Sequence, residues 1–344
     1  MMAIEPDATS TTIRLAHGAG GRLMSDLIRD VFVPPLDNAY LGQMSDSTVI
    51  GLPALGRLAI STDSFVVHPL FFPGGDIGSL AIHGTVNDVS MSGATPLWLT
   101  AAFILEEGLS LDVLESIVRS MAQAAQTAGV QIVSGDTKVV ESGHGDGVYI
   151  NTTGVGRVAK GVSVAPNQGR PGDVVLVSGT LGDHGIAILT QREGLQFETA
   201  ILSDSAPLNG LVATLLTAAP HTHCLRDLTR GGLAAALNEL ALTSQAGIEI
   251  EEEAIPIQPA VAAACEMMGF DPLTIANEGK LIAFVPQREA EAALQALRAH
   301  PLGQRAACIG TLTADHPGLV VAQTAIGGRR IVRVPLGELL PRIC

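Results

Sequence analysis

Pro166-Asn167-Gln168-Gly169-Arg170-Pro171-Gly172, followed after one aspartate by Val174-Val175-Leu176-Val177, decides how the 344-residue chain is organised. The proline- and glycine-rich stretch is turn chemistry, because it can extend neither a helix nor a ladder. The valine-leucine run after it is unbroken and apolar, as a strand covered on both faces requires. The change of pattern between Val158 and Asp173 therefore reads as a boundary. It predicts one domain over residues 1–165, a second over 166–335 and a tail over 336–344. Both sides alternate helical and strand-like runs, so two mixed α/β halves are expected.

Working back towards the start, His17-Gly18-Ala19-Gly20-Gly21 feeds a helical pattern at Leu23, Leu27, Ile28 and Val31 that Pro34 is expected to end. A glycine loop before a helix offers backbone N–H groups to an anion, although a plain loop fits equally well. Carboxylates then recur at the ends of apolar stretches: Asp46 in Met44-Ser45-Asp46-Ser47, Asp63 after Leu58-Ala59-Ile60, Asp88 in a helix with Ile77, Leu80 and Ala81, and Asp136 after Val130-Gln131-Ile132-Val133. One such aspartate is an ordinary cap or turn residue. The set reads as hard oxygen ligands gathered at one sheet edge, able to hold Mg²⁺ while phosphates complete its coordination.

The second half continues with Gly179 to Gly185, a glycine turn into a helix, and Asp227-Leu228-Thr229-Arg230-Gly231-Gly232, which opens a helix running to about Gln245. A helix start there favours a phosphate or carboxylate, while Asp227 could equally be a helix-entry residue. Helices near Pro259 to Met268 and Glu289 to Ala299 alternate with strands near Leu281 to Val285 and Ala306 to Leu312. Only three of the twenty basic residues are lysines, and Lys138 and Lys280 stand in Gly135-Asp136-Thr137-Lys138 and Asn277-Glu278-Gly279-Lys280. A compact ammonium suits a phosphate as a point charge; surface ion pairing is the alternative.

The net charge is −14 and aromatics make up 3%, so a nucleic-acid groove is not expected. Mean hydropathy is +0.36, yet no apolar run approaches the roughly 20 residues that span a bilayer. The first residues carry Glu5 and Asp7 in place of a basic start and an apolar core, which points to a cytoplasmic protein. Cys224, Cys265, Cys308 and Cys344 form no Cys-x-x-Cys pair and read as thiols of a reducing compartment. His221-Thr222-His223-Cys224 looks like a metal-ligand cluster, but no second ligand pair lies near it in the sequence.

The chain ends Pro341-Arg342-Ile343-Cys344. Residues 336–344, fully extended and hinged at Gly337, reach about 30 Å, enough to enter a cleft from a domain surface. The terminal thiol therefore reads as a substrate that a partner loads, with an accident of sequence as the alternative.

Together the loop at 17–21, Ser61-Thr62-Asp63, Asn87-Asp88, Gly135 to Lys138, Asp227 to Gly232, Asn277 to Lys280 and the terminal Pro-Arg-Ile-Cys resemble the HypE family of hydrogenase maturation proteins. The glycine and aspartate elements fit the wider aminoimidazole ribonucleotide synthetase-like (PurM-like) ATP enzymes, and the tetrapeptide narrows the choice. The resemblance implies an α/β (α+β) two-domain fold, a β-rich N-terminal half that dimerises through its sheet, an α/β C-terminal half, and ATP in the cleft between them. It implies nucleotide contacts from His17, Gly18, Gly20, Gly21, Asp46, Asp63, Asn87, Asp88, Asp136 and Asp227, with Asp46, Asp63, Asp88 and Asp227 as Mg²⁺ ligands. Cys344 would carry the reacting group, and Lys138 and Glu278 would handle it. The activity implied is ATP-dependent dehydration of an S-carboxamide on Cys344 to a thiocyanate. A HypF-like carbamoyltransferase would load the cysteine and a HypC-HypD-like iron complex would receive the cyanide. A small-molecule synthetase or kinase of the same superfamily, and a non-catalytic scaffold, are the alternatives.

Overall fold

The computed structural model describes residues 12–14, 17, 26–38, 57–195, 200–334 and 343–344. Gly18, Gly20, Gly21, Asp46 and the hinge at Gly337 lie outside the described residues.

The helical segment predicted around Leu27 and Ile28 is present, but Pro34 does not end it: turns over Ile28–Phe32 are followed by Val33–Leu36. Proline is tolerated in a first helical turn, where its missing N–H has no partner to lose. Next come β1 (Arg57–Phe65), the short ribbon β2 (Phe71–Phe72) and β3 (Gly75–Asp76), and α1 (Ile77–Met91). Asp76 caps α1, accepting from Gly78 N at 2.7 Å and Ser79 N at 3.1 Å. Then follow β4 (Ala94–Glu106), α2 (Leu111–Ala128), β5 (Gln131–Val140) and β6 (Val148–Val158). The long strands form a sheet in the order β1-β6-β4-β5, with only β4 and β5 parallel. One face carries α1 and α2; the other bears exposed Leu58, Ile60 and Ile104.

After Pro166–Gln168, the second half runs β7 (Asp173–Val177), α3 (Asp183–Glu193), α4 (Asn209–Ala218), β8 (Cys224–Asp227), α5 (Gly232–Ser244), β9 (Gly247–Glu251), α6 (Pro259–Met268), β10 (Leu281–Pro286), α7 (Ala290–Ala299), β11 (Ala307–Thr313), β12 (Val320–Gln323) and β13 (Arg329–Ile331). Its strands form a seven-stranded sheet ordered β13-β12-β9-β11-β7-β10-β8. The apolar run in β7 is explained by layers on both faces. Val174 and Leu176 join a core with α4 and α7, while Val175 and Val177 join one with α5. A third core crosses the chain, with Ile77 and Ile82 of α1 sharing a cluster with Ile186 and Ile188 of α3. The two halves are thus welded along α1, which is buried almost throughout.

Candidate active site

Asp63, Asp88, Asp227 and Glu278 come together where α1 and β1 meet β8 and the turn before β10. Asp88 sits in the last turn of α1, where the helix dipole disfavours a carboxylate. Its own helix therefore offers this carboxylate no stabilisation. Ser61 Oγ donates to Asp88 Oδ2 at 2.7 Å. Asp227 closes β8, and the chain turns through Gly231 and Gly232 (φ 77° and 59°) into α5, aiming that helix start at the same place.

The electrostatics are those of crowded acids. Burial, then the neighbouring Asp88, pushes the Asp227 carboxyl up to about 7. Burial first, with Asp88 adding, also raises Asp63, while Arg230 opposes. Glu278 is raised well above the usual carboxylate range by burial and then by Asp227, Asp204, Asp63 and Asp88. It is 3% exposed, and its Oε1 has no hydrogen-bond partner. A cleft of about 660 Å³ opens beside this cluster, lined by Ser61, Asp63, Asp88, Asp227, Thr229 and Arg230 among others.

Asn277-Glu278-Gly279-Lys280 is built as one piece. Asn277 accepts Gly182 N at 2.8 Å and donates to Leu228 O at 3.0 Å, tying two loops to the turn. Asp204 accepts from Glu278 N at 3.0 Å and from Lys280 Nζ at 2.9 Å. Burial would raise the Asp204 carboxyl, but Lys280, the Glu278 amide and His184 outweigh it and hold Asp204 below its ordinary value. Gly279 has no room for a side chain: a Cβ would lie 1.8 Å from the Asp204 carbonyl oxygen.

Other expected residues have other partners. Asn87 spends its amide on the second half, accepting Leu208 N at 2.7 Å and donating to Ala206 O at 3.1 Å and Glu278 O at 3.2 Å. His17 turns back on Arg14, accepting its N–H at Nδ1 at 2.9 Å. The expected gathering of aspartates at one sheet edge includes Asp63 and Asp88 but not Asp136, because β5 continues past its apolar run and places Asp136 inside the strand. Ser64 shares a cross-strand row with Asn151, Ala102 and Asp136, so Asp136 faces away from Asp63, on the opposite side of the sheet. Lys138 shares that face, 2.7 Å from Asp136 and largely exposed. Strands β1 and β5 are opposite edges, about 14 Å apart at the usual strand spacing. Within one chain, Lys138 does not reach Glu278.

The last two residues dock between the halves. Ile343 pairs antiparallel with Val67, buries its side chain to 5% exposure, and accepts a 2.6 Å hydrogen bond from His184 Nε2. Cys344 is half-buried against the core that crosses the chain.

Both halves match family models: residues 44–158 the AIR synthase related protein, N-terminal domain, and residues 170–322 its C-terminal domain. Carbamoyl dehydratase HypE of Azotobacter vinelandii is 55% identical over 98% of this chain and 99% of its own length. The chain belongs to the HypE family of hydrogenase maturation proteins. A crystal structure of a HypE in complex with ATP superposes with TM-score 0.92 at 50% identity, covering 96% of this chain and 99% of that one. A HypE in a HypE-HypF complex superposes with TM-score 0.80, also at 50% identity, over 90% of this chain and 99% of that one. The mixed α/β two-domain PurM-like fold expected from the motifs is thereby established.

The carboxylates here suit a HypE site for ATP and a hard divalent cation. Burial and the neighbouring Asp88 both work against a charged Asp227, a penalty that a bound cation would relieve. Among the described residues no three His, Cys, Asp or Glu side chains could hold a metal by themselves, so phosphate oxygens would complete the coordination, as Mg²⁺ prefers. The His221-Thr222-His223-Cys224 cluster is not a metal centre: His221 pairs with Glu289 and His223 with Asp173. Among the described residues no helix is long and apolar enough to cross a membrane.

Sequence reading missed Asp204, Ser203 and His184. Asp204 had one signal, since a lysine in a buried apolar context such as Lys280 demands an acidic partner. His184 had none, because its partner Ile343 is 159 residues away.

Proposed function

We propose that this chain is an ATP-dependent carbamoyl dehydratase acting on its own end, converting an S-carboxamide on Cys344 to a thiocyanate. The observation that carries this reading is the docking of Ile343 and Cys344 between the halves, where Ile343 is held by His184, whose ring bonds Ser203 next to the Asp204 that holds the Glu278 amide. A small-molecule enzyme has no use for such a contact.

The chemical difficulty is the amide oxygen, which cannot leave as hydroxide at neutral pH. Transfer of the γ-phosphoryl group of ATP to that oxygen forms an O–P bond and breaks the bond to ADP. The C–O bond then breaks with phosphate taking the electron pair, and loss of both N–H protons leaves the carbon–nitrogen triple bond. Glu278 is assigned as proton acceptor: its raised pKa makes it a strong base once ionised, and its orphan oxygen has capacity for one new hydrogen bond. Asp63, Asp88, Asp227 and, outside the described residues, Asp46 would hold Mg²⁺, which supplies charge neutralisation for phosphoryl transfer. The start of α5, with Arg230, orients the phosphates.

Lys138 and Asp136, on the open face of the first sheet, are assigned to a second copy's site. This requires a homodimer joined through that face, whose exposed Leu58, Ile60 and Ile104 suit burial. The working parts are residues 1–165, 166–335 and the tail 336–344. A HypF-like carbamoyltransferase loads Cys344, and a HypC-HypD-like iron complex takes the cyanide for a [NiFe] hydrogenase, all in the cytoplasm. Phosphate release from S-carboxamide-loaded protein tests the reading. It should stop at one phosphate per chain, whereas ATP consumption that continues on a free small molecule would favour a kinase-like activity.

A further inference from the structure

We propose, building on the assignment of Cys344 as the reacting residue, that His184 is a positioning residue which grips the peptide bond between Ile343 and Cys344 and thereby sets where the sulfur stands. Ile343 O can only accept, so His184 Nε2, at 2.6 Å, carries the proton. His184 Nδ1 then accepts from Ser203 Oγ at 2.8 Å, and Ser203 Oγ accepts from Ser205 N at 3.1 Å. The ring is fully buried, and its edge-to-face contact with Phe72, with centroids 5.5 Å apart, fixes its plane. Burial keeps it neutral, which suits a single tautomer with one donor and one acceptor.

The grip falls on the penultimate residue from three sides: the buried Ile343 side chain, the bridge to Val67, and the held carbonyl. The grip ends one residue before the sulfur, so it fixes where the Cys344 backbone starts, and the sulfur stands in one of a few staggered positions about χ1. Adjacent residues of one loop join this grip to the proposed base: Ser203 holds His184, and Asp204 holds the Glu278 amide at 3.0 Å. The ligand recognised is an apolar residue followed by a C-terminal cysteine. A free thiol lacks the first of these.

Alkylation by iodoacetamide, without ATP or loading, tests the grip separately from the dehydration reading, with each cysteine peptide quantified by mass spectrometry. Exposed Cys308 is the internal standard. Buried Cys224 and Cys265, their thiols pushed up by burial to about 12 and about 11, react only if the protein unfolds. His184→Phe should raise the Cys344 rate relative to Cys308 about tenfold, and Ser203→Ala about threefold, the factors that one buried hydrogen bond commands. His184→Gln, which keeps a donor, should restore most of the protection. An unchanged ratio in both His184→Phe and Ser203→Ala, with Cys224 and Cys265 still protected, overturns the proposal. If His184→Phe exposes the buried cysteines, Ser203→Ala decides alone. Dehydration failing on Cys344 would leave the grip standing, and an unchanged ratio would leave the dehydration reading standing.

Discussion

The carboxyl of Asp227 is buried beside that of Asp88, the two brought together from opposite halves of the chain. Two buried acids side by side disfavour a second charge, and burial followed by Asp88 pushes the Asp227 carboxyl up to about 7. Without a cation, the site is a place where the fold works against itself.

The metal-free protein should therefore lose stability as pH rises. Unfolding returns Asp227 to a pKa near 3.8, so between that value and about 7 the folded state holds the extra proton. The contribution of this group is full below about pH 4, falls as pH rises from there and is gone once pH has passed about 7. Urea denaturation in EDTA at pH 6 and pH 8 measures it, and Mg²⁺ should restore stability at pH 8. Asp227→Asn should be more stable than the parent at pH 8 in EDTA, by on the order of 2 kcal/mol, and inactive with Mg²⁺ and ATP.

Glu278→Gln keeps the side-chain shape and removes the proposed base. Dehydration should fall at least about 100-fold while the carboxamide accumulates on Cys344. In the parent, the single-turnover rate should climb with pH well beyond the ordinary carboxylate range, since Glu278 must lose its proton to act. The same profile in Glu278→Gln would assign the base elsewhere.

Gly279→Ala should be among the most damaging small changes in the chain. Its methyl would collide with the Asp204 backbone and part Asp204 from Glu278 and Lys280. Thermal unfolding should show a loss of about 3 kcal/mol, at the upper end for overpacking, with dehydration abolished.

Lys138 and Glu278 should complement across subunits. Lys138→Ala by itself should change stability by less than about 1 kcal/mol, because its ion pair with Asp136 is exposed. Each of Lys138→Ala and Glu278→Gln should be inactive alone, and a co-refolded mixture should recover about one quarter of parental activity, since half the dimers hold one intact site. No recovery would place the lysine outside the reaction.

Much of this was written in local pattern. The β7 run announced a strand with helices on both faces, and the segment around Ile77 and Leu80 announced α1, because periodicity reports burial directly. The pairing of faces was not legible. Asp63 and Asp136 look alike in sequence, yet strand register, fixed by neighbours far along the chain, sends them to opposite sides of a sheet. Asn87, expected beside the nucleotide, also clamps the backbone of the second half, a role no local pattern announced. His184 and Asp204 acquire meaning only through partners 159 and 74 residues away.

The account rests on the chain's own last sulfur carrying the group that is dehydrated. Mass spectrometry of the C-terminal peptide from S-carboxamide-loaded protein, before and after ATP and Mg²⁺, addresses this most directly. The predicted result is loss of one water from Cys344 in a single turnover, absent in Glu278→Gln. An unchanged carboxamide on Cys344 while ATP is consumed would contradict it.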